Sequence, residues 1–157
     1  MSTEGAKRAW LPPRWFVRLA WSMHRFVYRA AGGRVGLRHA KTSRWGMMRL
    51  NTIGRRTHQE RSVILGYFDD GPNPVTMAMN GWADGEPAWW LNLQAHPEAS
   101  VDLAGGRRSL RGRAAVGDER TRLCDQWREL DRNLDEYAAR RSAETAVVVL
   151  VPSPDTS

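Results

Sequence analysis

The sequence predicts an α+β fold, a barrel of about six mostly antiparallel strands with peripheral helices, and three observations carry that prediction. Short β-branched or alternating runs follow one another in meander order, turn residues separate them, and the strand-helix-strand alternation of a parallel sheet is missing. At 157 residues the chain is one domain's worth, long enough to bury a core.

Residues 1–13 read as a mobile arm, closed by Pro12-Pro13, which offers a helix start. Segment 14–33 is an amphipathic helix on a helical wheel. Arg14, Arg18, Arg25 and Arg29 share one narrow face, Trp15, Phe16, Leu19, Met23, Phe26 and Val27 take the other, and Gly32-Gly33 stops it. Such a helix suits a cover for the core as well as an anchor on a membrane surface. "MMRLNTI" (47–53) and "RSVILGYF" (61–68) read as strands, and "DDGPN" turns into a third, "VTMAM" (75–79). "PAWWLNLQAH" (87–96) is a short helix stopped by Pro97. "ASVDL" (99–103) and "SLRGRAAV" (109–116) form a hairpin around "AGGRR". Asp118 is placed to cap a long helix running to about Arg141, and "TAVVVLV" (145–151) is a central closing strand.

Net charge is +7, and all but two of the 24 cationic residues, Lys7 and Lys41, are arginine. Guanidinium binds phosphate and carboxylate bidentately, so an anionic partner is expected. Nucleic acid is not that partner, since no helix-turn-helix appears and aromatics are not interleaved with the arginines on a strand. One cysteine, Cys124, and no Cys/His cluster leave no disulfide and no metal site. No apolar run nears the roughly 20 residues of a bilayer span. With no signal-peptide pattern either, the sequence reads as cytoplasmic.

Standard nucleotide and nucleophile motifs are absent, so a reaction here would depend on a borrowed cofactor. His24, His39, His58 and His96 are scattered among unrelated elements. "GRRTHQER" (54–61) stands apart: Gly54 permits a tight turn, the following amides, Thr57, Arg55 and Arg56 make an anion-binding concavity, and Arg61 can point back at the same anion. The same residue types also suit a solvated hairpin. In "MNGWADGEPAWWLNLQAHP" (79–97), loop amides and a helix start favour a carbonyl or negative charge, while Trp89 and Trp90 offer flat apolar surface. Indoles on a helix equally serve a core. Asn92, an amide on an apolar helix, needs a partner in either backbone or ligand.

"IGRRTHQERSVILGYF", "MNGWADGEPAWWLNLQAHPEASVDLAGG" and the ending "YAARR" to "TAVVVLVP" resemble, in order and spacing, the deazaflavin-dependent nitroreductase and quinone reductase family over about residues 45–152. The resemblance implies a split β-barrel related to the FMN-binding barrels and makes 45–152 the coenzyme-binding domain, with 153–157 a tail. It also implies coenzyme F420, whose phosphate and oligoglutamate tail are anionic. On that reading Arg55, Arg56, Thr57 and Arg61 hold the phosphate and tail, and Gly54 shapes the turn. Met79, Asn80 and Gly81 would approach the tricyclic ring, with Trp89, Asn92 and Leu93 completing the wall. Tyr137 matches a position where family members carry an acceptor-facing tyrosine.

The family chemistry is hydride transfer from reduced coenzyme to an electron-poor acceptor, a quinone or a nitroaromatic compound. A membrane quinone would suit an enzyme resting on the inner face of the cell membrane through helix 14–30, and family analogy suggests a homodimer. Two alternatives keep the fold: a coenzyme carrier without turnover, and a protein using FMN or haem. The sequence departs from the family pattern at His58, where glycine is usual, at Glu60 and Ile64, where proline is common, and at Trp82, where a small residue is frequent. Trp82 is expected to narrow the pocket above the ring, and Glu60 to disfavour an adjacent anion unless it points away.

Overall fold

A computed structural model of the chain describes Trp15 and residues 37–154. The expected arm, the rest of segment 14–33 and the last three residues of the tail lie outside the described residues. Six strands, β1 (Gly46–Ile53), β2 (Glu60–Asp70), β3 (Asn73–Met77), β4 (Glu98–Leu103), β5 (Gly106–Ala114) and β6 (Val147–Pro152), close into a barrel in the order β1-β2-β3-β6-β5-β4. Every pairing is antiparallel, and β4 returns to β1 to seal the wall. The expected barrel is the observed one. Each strand lies within three residues of its predicted start and end.

Period-two alternation builds the interior. Met48, Leu50, Val101, Leu110, Val148 and Leu150 are fully buried and form one cluster with Tyr67, Trp90 and Leu93. A second cluster lies outside the barrel wall, where Val147 and Val149 of β6 meet Phe68, Val75, Met77, Leu123 and Trp127. Strand β6 is therefore apolar on both faces, which is why its sequence is an unbroken run of Val and Leu.

Helix α1 (Ala88–Ala95) plugs one end of the barrel. It seats closely because position 112 carries no side chain: a Cβ there would come within 2.8 Å of Leu93 Cδ1. Helix α2 (Gly117–Leu130) lays Leu123 and Trp127 on the second cluster. Two expectations fail here. Asp118 does not cap α2; the N-cap is Val116, and Asp118 and Glu119 sit in the first turn, where they complement the helix dipole. Nor does α2 reach Arg141. Asp131 Oδ1 accepts the Asn133 amide at 3.0 Å, a side-chain turn that replaces the helical ladder, and a short α3 (Leu134–Ala138) follows. A single turn of 3-10 helix at Asn80–Trp82 was also not foreseen.

Candidate functional site

Register places the site's first residues. Thr52 of β1 stands opposite Arg61 of β2, and Leu50 opposite Val63, so all four share the inward face. Glu60 pairs with Ile53 on the alternate, outward face, and is exposed. The carboxylate expected to disfavour an anion therefore leaves the strand on the face opposite Arg61.

The connection between β1 and β2 is a compact loop, closed by the Gly54 amide on Gln59 O and the His58 amide on Gly54 O, both at 2.8 Å. Gly54 is required for space rather than for backbone freedom, since a Cβ would meet Thr57 Oγ1 at 2.7 Å. The left-handed residue is His58, at φ 55°. That is the position where glycine is usual in the family pattern, and the imidazole-bearing residue is strained there. Its ring rests 5.3 Å from that of His96, the C-cap of α1.

Beside this loop lies a cavity of about 460 Å³. Thr52, Gly54, Arg55, Arg56 and Thr57 line it from β1 and the loop. Arg61, Ser62 and Val63 line it from β2, and Ala88, Trp89 and Asn92 from α1. Asn92 is 5 % exposed, and both ends of its side-chain amide are engaged within the protein. Its Oδ1 accepts the Arg55 amide at 3.1 Å and its Nδ2 donates to Thr52 Oγ1 at 3.2 Å. The partner that a buried amide demands is thus the loop itself.

Most of the described arginines away from the cavity have a carboxylate partner, Arg38, Arg44, Arg108 and Arg132 being the exceptions. Arg107 pairs with Asp102, Arg113 with Glu119 and Arg122 with Asp70. Among the described residues, no carboxylate lies within ion-pair distance of Arg55, Arg56 or Arg61, and no protein acceptor takes the Arg56 and Thr57 amides. Three uncompensated cations and two open amides against an indole form a donor set suited to an anion that carries a flat apolar body.

The remaining expected site residues lie outside this lining. Leu93 is 1 % exposed and belongs to the barrel core. Met79, Asn80 and Gly81 occupy the loop between β3 and α1, Met79 and Asn80 half-buried and Gly81 exposed. Trp82 is buried in the second cluster and stacks on Tyr137, ring centroids 5.7 Å apart at 28°, with the Arg140 guanidinium 5.4 Å from the tyrosine ring. It is not among the residues that line this cavity. Sequence reading passed over Thr52, Ser62, Val63 and Ala88, although strand alternation from Arg61 gives Val63, and pairing across the turn gives Thr52. It also passed over Arg141, whose side chain is 1 % exposed.

Fold and cavity together define a split β-barrel of the kind that holds flavin-like coenzymes. The chain belongs to the F420H(2)-dependent quinone reductase family, whose model matches residues 21–152. An F420H(2)-dependent quinone reductase of Mycobacterium tuberculosis (strain ATCC 25618 / H37Rv) is 28% identical over 132 residues, covering 82% of this chain and 87% of that protein. Among solved structures, an F420-H2 dependent reductase (FDR-A) superposes with TM-score 0.60 at 21% identity, over 66% of this chain and 92% of the other. A chain described as a domain-swapped dimer superposes with TM-score 0.62 at 20% identity, over 88% and 99%. The protein is accordingly an oxidoreductase whose coenzyme is F420, and its reaction is hydride transfer from the reduced coenzyme to a quinone. The donor set around the cavity fits that coenzyme's anionic phosphate and tail.

Proposed function

We propose that Arg55, Arg56, Arg61 and Thr57 hold the phosphate and tail of coenzyme F420, and that the close packing at Gly54 gives their loop its shape. The observation that carries this is that, among the described residues, three arginines on one cavity wall have no carboxylate partner while most of the other described arginines do. Like charges gathered on one wall repel one another until an anion arrives between them. Asn92 acts by fixing the loop, Trp89 offers the ring a flat wall, and Leu93 supports that wall from the core. Met79, Asn80 and Gly81 approach the ring from the neighbouring loop.

When bound, the reduced coenzyme supplies a hydride from its central ring carbon. The chain's part is to grip the charged handle, orient the ring and exclude water. Tyr137 and Trp82, stacked on one another, border the acceptor side. The acceptor is a membrane quinone, with nitroaromatic compounds as further substrates. The amphipathic sequence 14–30 brings a cytoplasmic enzyme to the inner face of the membrane, and the working unit is a homodimer, in keeping with the domain-swapped neighbour. No helix among the described residues is long and apolar enough to cross a membrane. Titration with oxidised coenzyme, followed by steady-state oxidation of the reduced form across a panel of quinones and nitroaromatics, tests the reading. Binding without turnover on any acceptor would favour a carrier.

A further inference from the structure

The loop Ala78–Glu86 holds an unusual backbone. Asn80, Gly81 and Trp82 are consecutively left-handed at φ 49°, 61° and 62°, and Gly85 follows at 85°. For Trp82 this conformation costs about 1–2 kcal/mol, less for Asn80, and such strain persists only where the surroundings dictate it.

Arg141 dictates it. All five guanidinium donors are engaged. Nε donates to Ala83 O at 3.0 Å; Nη1 donates to Ala78 O at 3.0 Å and Thr145 Oγ1 at 2.8 Å; Nη2 donates to Gly85 O at 2.8 Å and reaches Glu86 Oε1 at 3.5 Å. Next in the chain, the Ser142 amide and hydroxyl donate to Asp84 Oδ1 at 2.7 and 2.9 Å. Asn80 Nδ2 closes the loop internally on Asp84 O and Gly85 O. Three loop carbonyls are thus drawn onto one buried cation, while among the described residues the Asn80 and Gly81 amides donate to no protein acceptor. The space where a Cβ of Gly81 would stand is open. The loop ends two residues before Ala88, which lines the cavity.

We infer that Arg141 is a positioning residue for hydride transfer: it clamps Ala78–Glu86 so that the free Asn80 and Gly81 amides are presented to a carbonyl of the deazaflavin ring. This rests on the assignment of that loop to the ring. A guanidinium is needed because three divergent carbonyls must be met by one planar fork, which an ammonium cannot reproduce.

Arg141→Lys keeps the charge and removes the fork. Hydrogen exchange on the coenzyme-free protein should quicken in peptides covering 78–86 and not in the barrel strands. Single-turnover oxidation of reduced coenzyme should slow about tenfold or more, since small misplacements of reacting groups cost that much. Affinity for oxidised coenzyme, set by the separate arginine cluster, should change by less than about threefold. Wild-type exchange in 78–86 and a wild-type single-turnover rate would overturn the inference, as would exchange that quickens uniformly through the barrel. Should Arg141→Lys not fold, Ser142→Ala decides in its place. It removes an exposed hydroxyl anchor and should quicken exchange in the same loop and slow turnover about threefold; no change in either overturns the clamp. Failure of the underlying coenzyme site would show differently, as wild-type coenzyme affinity in a protein lacking Arg55 and Arg56.

Discussion

Asn92 Oδ1 accepts the backbone amide of Arg55 at 3.1 Å, so the helix that borders the cavity holds in place the loop that supplies its cations. The other end of the same amide donates to Thr52 Oγ1. Asn92→Leu keeps the volume but leaves the Arg55 amide without its acceptor and removes the donor to Thr52 Oγ1. It should destabilise the fold by about 1–3 kcal/mol and loosen coenzyme binding in parallel. Urea unfolding and a coenzyme titration measure the two effects. An unchanged midpoint with unchanged affinity would refute the bracing role.

His58 occupies a left-handed position at φ 55° that costs an L-residue free energy and glycine none. His58→Gly should raise stability by about 0.5–1 kcal/mol after allowing for the glycine's greater unfolded-state entropy. A shift of the denaturation midpoint to higher urea checks it. A lower midpoint would mean that the contact with His96 outweighs the strain.

Helix α2 is tied to the barrel by Arg122 on Asp70 of β2, at 2.8 and 2.9 Å, and by Glu119 on Arg113 of β5, at 3.0 Å. The Arg122 guanidinium holds the Asp70 carboxyl below the usual range, and Arg113 does the same for Glu119. A carboxyl with a depressed folded-state pKa contributes stability above its unfolded value of roughly 4 and loses it as pH falls through the folded value. Melting temperature should therefore be level from about pH 7 to 5 and decline below about pH 4, and this decline should flatten in Asp70→Asn. Both ion pairs are partly exposed to solvent, so the effect is modest and weakens in high salt.

Much of the barrel was legible because its strands obey period two and its turns carry Gly, Pro, Asn and Asp. β6 was the clearest, its two buried faces written as four consecutive apolar residues from Val147 to Leu150. The cationic loop was equally visible, since Arg55, Arg56 and Arg61 fall together once the strands on either side are paired. What escaped were features set by contacts distant in sequence. Asn92 is braced by residues 37 and 40 positions away. Arg141 reads as one more surface cation, because nothing local says that carbonyls some 60 residues earlier will enclose it. The stacking of Trp82 on Tyr137 in the outer cluster depends on a left-handed turn that its neighbours in sequence do not announce. The break after Leu130 depends on a side-chain turn at Asp131 that composition alone does not reveal.

The arginine-bearing sequence 14–30 should bind anionic membrane. The full chain is expected to sediment with phosphatidylglycerol vesicles and to be released by salt, and a protein lacking residues 1–33 to stay in solution with an intact barrel by circular dichroism. Aggregation of the truncated protein would instead assign the segment to covering the core.

The central claim is that unpaired arginines on the cavity wall grip the anionic handle of coenzyme F420, and fluorescence titration of oxidised coenzyme into wild type and Arg55→Ala/Arg56→Ala tests it most directly. With about 1.5–3 kcal/mol for each hydrogen bond to a charged group, the double variant should bind at least about a hundredfold more weakly while unfolding at the wild-type urea concentration. Equal affinity in the two proteins would contradict the claim.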